Sequence, residues 1–115
     1  MDEAMLTKDA YALLSVLYKD YLQRRKSGQA KRDATYFGNS HDIHKNFMPG
    51  RNFIDVDDAC RELSKAGFLV CLFADCIAYE VTLTDEAIFY MENRFKNGMA
   101  SFFKYLEQLR SLLPW

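Results

Sequence analysis

A chain of 115 residues has the length of one domain, and with half of them hydrophobic and 15% aromatic it can build a real core and is not a disordered chain. A net charge of −1 excludes a protein that coats nucleic acid with its whole surface, so any such binding must come from a local patch. No apolar run approaches the roughly 18 residues of a membrane span, and the start, MDEAMLTKDAYALL, has acids where a signal peptide has positive charge, so a cytoplasmic chain with no membrane partner is expected.

The charge is unevenly spread. Residues 1–54 hold nine Lys/Arg against six Asp/Glu, and residues 55–115 hold six against ten. The three cysteines, at 60, 71 and 76, are odd in number, match no zinc spacing and sit in apolar or strand-like contexts, as in a reducing compartment.

In chain order, TKDAYALLSVLYKDYLQRRK (residues 7–26) predicts a helix capped by Thr7. Tyr11, Leu14, Leu17, Tyr18, Tyr21 and Leu22 recur at helical spacing, and Ala10, Leu13 and Val16 widen the stripe to most of the circumference. Its last turn, QRRK, suits the negative end of the helix dipole. Residues 28–39 predict a loop with one short extended piece at ATYF. Ser40 then caps a short helix, HDIHKNF, anchored by Ile43 and Phe47 and stopped by Met48-Pro49-Gly50.

A third helix is expected from Asp55, which caps it in a box-like pair with Asp58; Asp57 and Asp58 favour the positive end of the dipole. Val56, Ala59, Cys60 and Leu63 form its buried face, and Gly67 its C′ residue. FLVCLFADCIAYEVTL reads as a hairpin turning at Asp75-Cys76. Alternation then sends Val70, Leu72, Ala74, Ile77, Tyr79 and Val81 to the core, and leaves Leu69, Cys71, Phe73, Ala78, Glu80 and Thr82 on an unusually apolar outer face. Thr84 caps the final helical region.

That region carries a heptad stripe of Ile88, Met91, Phe95, Phe102, Tyr105, Leu109 and Leu112, with Gly98 as the gap, and a second stripe through Met99, Phe103, Leu106 and Leu113. As one helix, residues 85–113 would run about 43 Å at 1.5 Å per residue, more than this domain can cover; a break near Gly98 would fold the second half back. The first stripe is expected to join two copies. Residues 1–84 then form the core and 85–115 a dimerising extension of the same domain.

The order helix, short helix, helix, hairpin, helix is similar to winged helix-turn-helix proteins. ACRELSKAGFLVCLFADCIAYEVTLTDEAIFYMENR resembles the corresponding part of small bacterial and phage regulators of that superfamily. There, "L…G.I" closes the recognition helix and "LT..G..YLE" opens the helix after the wing. The matching residues are Leu63, Gly67, Leu69, Leu83, Thr84, Ala87, Tyr90, Met91 and Glu92, with Ala87 where Gly is common. The resemblance covers residues 7–97. It implies a mostly helical α+β fold with residues 40–47 as the first helix of the helix-turn-helix, 55–66 as the recognition helix and 74–77 as the wing tip. It implies function weakly, since winged helices also serve as protein-interaction modules.

The departures are chemical. Recognition helices read bases with Arg, Lys, Asn and Gln, whereas this helix sets Arg61 and Lys65 against Asp55, Asp57, Asp58 and Glu62, and the wing presents Asp75 with no Lys or Arg. The acids have two compatible readings: they cap the helix, and they keep it away from phosphates. The densest basic run is Arg24, Arg25, Lys26, Lys31 and Arg32, with Lys45 and Arg51 extending it.

The expectation is a small regulator that binds nucleic acid, DNA first, as a homodimer. Those seven residues would hold phosphates, and Arg61 and Lys65 would be the groove candidates. The alternative is a winged-helix module that meets another protein through its acidic helix. His41 and His44 share a helix face but have no further ligands at metal spacing. There is no Ser/His/Asp arrangement, no phosphate-cradling glycine loop and no paired acids with a pocket. Neither catalysis, nor a metal, nor a cofactor is expected.

Overall fold

The computed structural model describes residues 6–95 and 98–110. Its elements run α1 (Lys8–Lys26), α2 (Lys31–Ala34), β1 (Tyr36–Gly38), α3 (Ser40–Phe47), α4 (Phe53–Lys65), β2 (Leu69–Ala74), β3 (Ile77–Leu83), α5 (Asp85–Arg94) and α6 (Met99–Arg110). The class is α+β: helices around one three-stranded antiparallel sheet in the order β1-β3-β2.

Helix α1 is the central element, with eight apolar side chains between Ala10 and Tyr21 reaching the core on most of its circumference. Thr7 caps it as expected, its hydroxyl accepting the Ala10 amide. Two other caps differ from the sequence reading. Asn39, not Ser40, caps α3, in a reciprocal box with Asp42. Asn52, not Asp55, caps α4, its side chain accepting the Ile54 amide at 2.8 Å. Asparagine competes equally well for an N-cap, and each displaced residue moves one to three places into its helix.

The end of α4 is as expected. Gly67 has φ +86, a conformation that costs a side-chain-bearing residue energy. It lets the Phe68 amide reach the Leu63 carbonyl at 2.9 Å and the Gly67 amide reach that of Ser64 at 3.1 Å, the paired bonds of a Schellman ending.

Residues 28–39 are not a plain loop. They hold α2 and then β1, whose Tyr36 pairs with Thr82 and Gly38 with Val81, so the hairpin gains a third strand. The turn lies at Asp75 and Cys76, both at positive φ (50° and 67°), as a two-residue hairpin loop closed by Ala74 and Ile77 requires.

The faces of the hairpin differ from simple alternation. Leu69, Ala78, Val81 and Leu83 are buried, while Val70 and Leu72 are 60% and 63% exposed. Strand β3 carries a bulge: Val70 opposes Thr82 but Leu72 opposes Tyr79, so Glu80 and Val81 stand against Cys71 alone, with Glu80 at φ 53°. The extra residue reverses the alternation midway along β3. Ala78 before it and Val81 after it therefore both point inward.

Gly98, at φ +107, separates α5 from α6, so the C-terminal region is two helices rather than one. Helix α6 folds back: Phe102 packs edge-on to Tyr18 of α1 at 5.3 Å and to Phe95 at 5.0 Å between ring centroids. Ile88, Met91, Phe102 and Leu106 belong to the same hydrophobic cluster as α1, α4 and the sheet.

Candidate nucleic-acid interface

The basic residues divide into those engaged within the chain and those open to solvent. Arg24 is engaged. Its Nε is 2.6 Å from Asp20, its Nη1 donates to the Tyr36 carbonyl at 2.7 Å, and its guanidinium lies 4.6 Å over the Phe37 ring. This side chain staples the end of α1 to β1. Lys31 pairs with Asp85 at the start of α5, a contact that raises the lysine's pKa. Arg51 pairs with Asp9 at 3.0 Å, closing the α3–α4 connection onto α1.

Arg25 donates only to the nearby Gln29 carbonyl and stays exposed, and Lys26, Arg32, Lys45 and Lys65 are exposed with no ion pair among the described residues. Four of the basics meet where α1 ends and α2 begins. Arg25 lies close enough to Lys31 to disfavour the lysine's charge. Arg24 and Arg32 line one shallow depression with Asp33, Thr35, Tyr36 and Thr82.

Helix α4 and the hairpin are joined by a group that the sequence reading placed differently. Asp57 is 5% exposed. One oxygen accepts the Ser40 hydroxyl at 2.8 Å and the Ala78 amide at 3.0 Å; the other accepts Arg61 Nε at 3.1 Å. Burial pushes this carboxyl's pKa up, but the bonds from Ser40, Ala78 and Arg61 outweigh that and hold it below the usual value. Asp57 is therefore a junction between α3, α4 and β3 and not a dipole or capping acid.

Arg61 completes the junction by donating to the Cys76 carbonyl at 2.8 Å and lying 4.6 Å over the Phe73 ring. Its guanidinium is thus engaged by both α4 and the hairpin. Glu62 is likewise internal: its two oxygens accept the Thr7 amide and hydroxyl, each at 2.7 Å, and tie α4 to the start of α1. Of the four acids, Asp55 and Asp58 remain exposed, in the same first turns of α4 as Ile54 at 65% exposure.

Both histidines have structural partners. His41 stacks on Phe53 with centroids 4.1 Å apart and planes within 4°, and His44 Nε2 is 2.7 Å from the Arg51 carbonyl. Cys60 is buried, and burial pushes its thiol to about 12; Cys71 is half-buried and pushed by burial to about 11; Cys76 is exposed at the hairpin tip.

Three residues of the stripe expected between subunits are buried within the single chain. Ile88, Met91 and Phe102 are 7%, 1% and 0% exposed and belong to the hydrophobic cluster around α1. Phe95 is half-buried against the same core. The side chains of Tyr105 and Leu109, and Leu112 altogether, lie outside the described residues.

Sequence reasoning missed Asp57 and the outward side of β2. The i,i+4 spacing of Asp57 and Arg61 was a usable signal for the first. The second needed the bulge. No protein-family model, no curated protein and no solved structure matches the chain.

Proposed function

We propose that this chain is a small winged helix-turn-helix regulator that holds nucleic-acid phosphates with the basic end of α1 and α2, not with α4, and does so as a homodimer. The α3–α4 pair followed by the β2–β3 hairpin supplies the expected order. The observation that carries the reading is that Arg25, Lys26 and Arg32 are exposed and, among the described residues, without ion pairs, at the end of α1 and in α2 beside the depression lined by Arg24, Arg32 and Asp33. Neutralised phosphates release counterions, so such binding weakens steeply with salt and carries little sequence preference.

Helix α4 is unsuited to base readout. Its exposed side bears Asp55 and Asp58, and its best donor, Arg61, is held by Asp57 and Cys76. Lys65, at its last turn, is the remaining basic residue there.

A fluorescence-anisotropy titration of a random-sequence duplex, at low and moderate salt, tests this. Arg25→Glu/Lys26→Glu/Arg32→Glu is the comparison, leaving Arg24 intact because it staples α1 to β1. Salt-sensitive binding lost in the variant is the expected result. No binding even at low salt would overturn it and favour the second reading, a protein-interaction module. That reading draws on the uncharged, exposed side of β2.

A further inference from the structure

Strand β2 lies at the edge of the sheet, and it has none of the features that normally protect an edge. Its six residues, LVCLFA, include no charge and no proline. The bulge in the hairpin falls on β3, so β2 itself runs unbroken. Among the described residues no element pairs with its outer side. Half the backbone groups of such a strand point away from its only neighbour, and soluble proteins ordinarily blunt or cover them.

We infer that β2 is the homodimer interface, pairing antiparallel with β2 of a second copy about a two-fold axis to join two three-stranded sheets into one of six strands.

Three observations select a second copy as the occupant. Outward-facing N–H and C=O groups are satisfied by a strand and not by a helix face. A strand meeting its own copy antiparallel about a two-fold axis places like side chains near one another, which charge would forbid; no charged residue stands between Lys65 and Asp75. The apolar side chains also share one face. Val70 and Leu72 project to solvent, and opposite them stand Thr82 and Tyr79, with Tyr36 next in the row beyond Thr82. With the two-fold axis at Cys71, Val70 of each copy stands opposite Leu72 of the other, and the surface extends across the axis. The hairpin's charged residues are only Asp75 and Glu80, wrong for a strand laid on phosphate and harmless in a protein contact.

This inference rests on the dimeric part of the proposed function and not on nucleic-acid binding. Sedimentation velocity of the full chain without nucleic acid, from about 1 to 100 µM to span common dimer affinities, is the test, with Val70→Lys and Leu72→Lys as variants. Both positions are solvent-facing in the single chain, so each variant should keep the wild-type helical circular dichroism, with a melting temperature that no longer rises with protein concentration. The expected result is a wild-type dimer and variants of single-chain mass, with β2 amides that exchange hydrogen faster in the variants than in the wild type. A wild type monomeric throughout, an open-ended series of oligomers, or a dimer whose mass neither lysine changes would each overturn the inference. A wild-type dimer that binds no duplex even at low salt would count against the phosphate reading alone.

Discussion

Asp57 and Ala78, 21 positions apart, are joined by a hydrogen bond of 3.0 Å from the Ala78 amide to a carboxylate that is 5% exposed. The same oxygen takes the Ser40 hydroxyl, and Arg61 holds the other. A helix, the helix before it and a strand thus share one buried charge. The arrangement explains an acid in the first half of a supposed recognition helix: its purpose is to hold the hairpin down.

Asp57→Ala should therefore destabilise the protein by about 2–4 kcal/mol, since it leaves a buried hydroxyl and a buried amide unpaired and frees Arg61. Asp57→Asn keeps an acceptor for Ser40 and Ala78 and should cost less. Urea unfolding of the two variants measures both. A loss below about 1 kcal/mol for the alanine variant would mean water replaces the carboxylate without penalty.

The same group makes stability depend on acid. Its folded pKa is depressed, so its contribution is present in full above the unfolded value of about 3.9 and is lost as pH falls through the folded value. Melting temperature should drop more steeply below about pH 4 in the wild type than in Asp57→Asn. Parallel curves for the two proteins would show that other carboxylates dominate the acid transition.

Phe102→Ala should cost about 3–5 kcal/mol as a large core truncation, because its ring is fully buried against Tyr18 and Phe95. It should leave the oligomeric mass unchanged. Thermal melts and sedimentation of the same sample check both halves. A variant of normal stability but altered mass would return Phe102 to a subunit interface.

The three thiols should label in order. Cys76 is exposed and reacts first with an aromatic disulfide reagent at neutral pH. Cys71, half-buried and with its pKa raised by burial to about 11, follows slowly. Cys60, buried with its pKa near 12, waits for unfolding. Equal rates for Cys60 and Cys76 would contradict the placement of α4.

The helices were legible because their signals are local. Thr7, Gly67 and Thr84 act where their chemistry placed them, since a cap bonds within three or four residues of itself. The hairpin turn at Asp75-Cys76 was legible for the same reason. Caps failed only where Asn39 and Asn52 stood near equally good competitors. The basic run was visible as composition, but which members are free was not. Arg24, Lys31 and Arg51 find carboxylates at Asp20, Asp85 and Asp9, and only one of those lies within a helical turn.

Sequence by itself determined the α+β class, the existence of α1, α3 and α4, the hairpin and its turn, because backbone preferences and hydrophobic period act over a few residues. The tertiary structure alone decided which side of β2 faces water, where the last helices go and what the acids of α4 do. A one-residue bulge at Glu80 reverses the side-chain alternation, a turn at Gly98 sends Phe102 inward, and Asp57 finds partners 17 and 21 positions away. Each of these outcomes depends on which distant surface is left to be filled, and no window of sequence contains that.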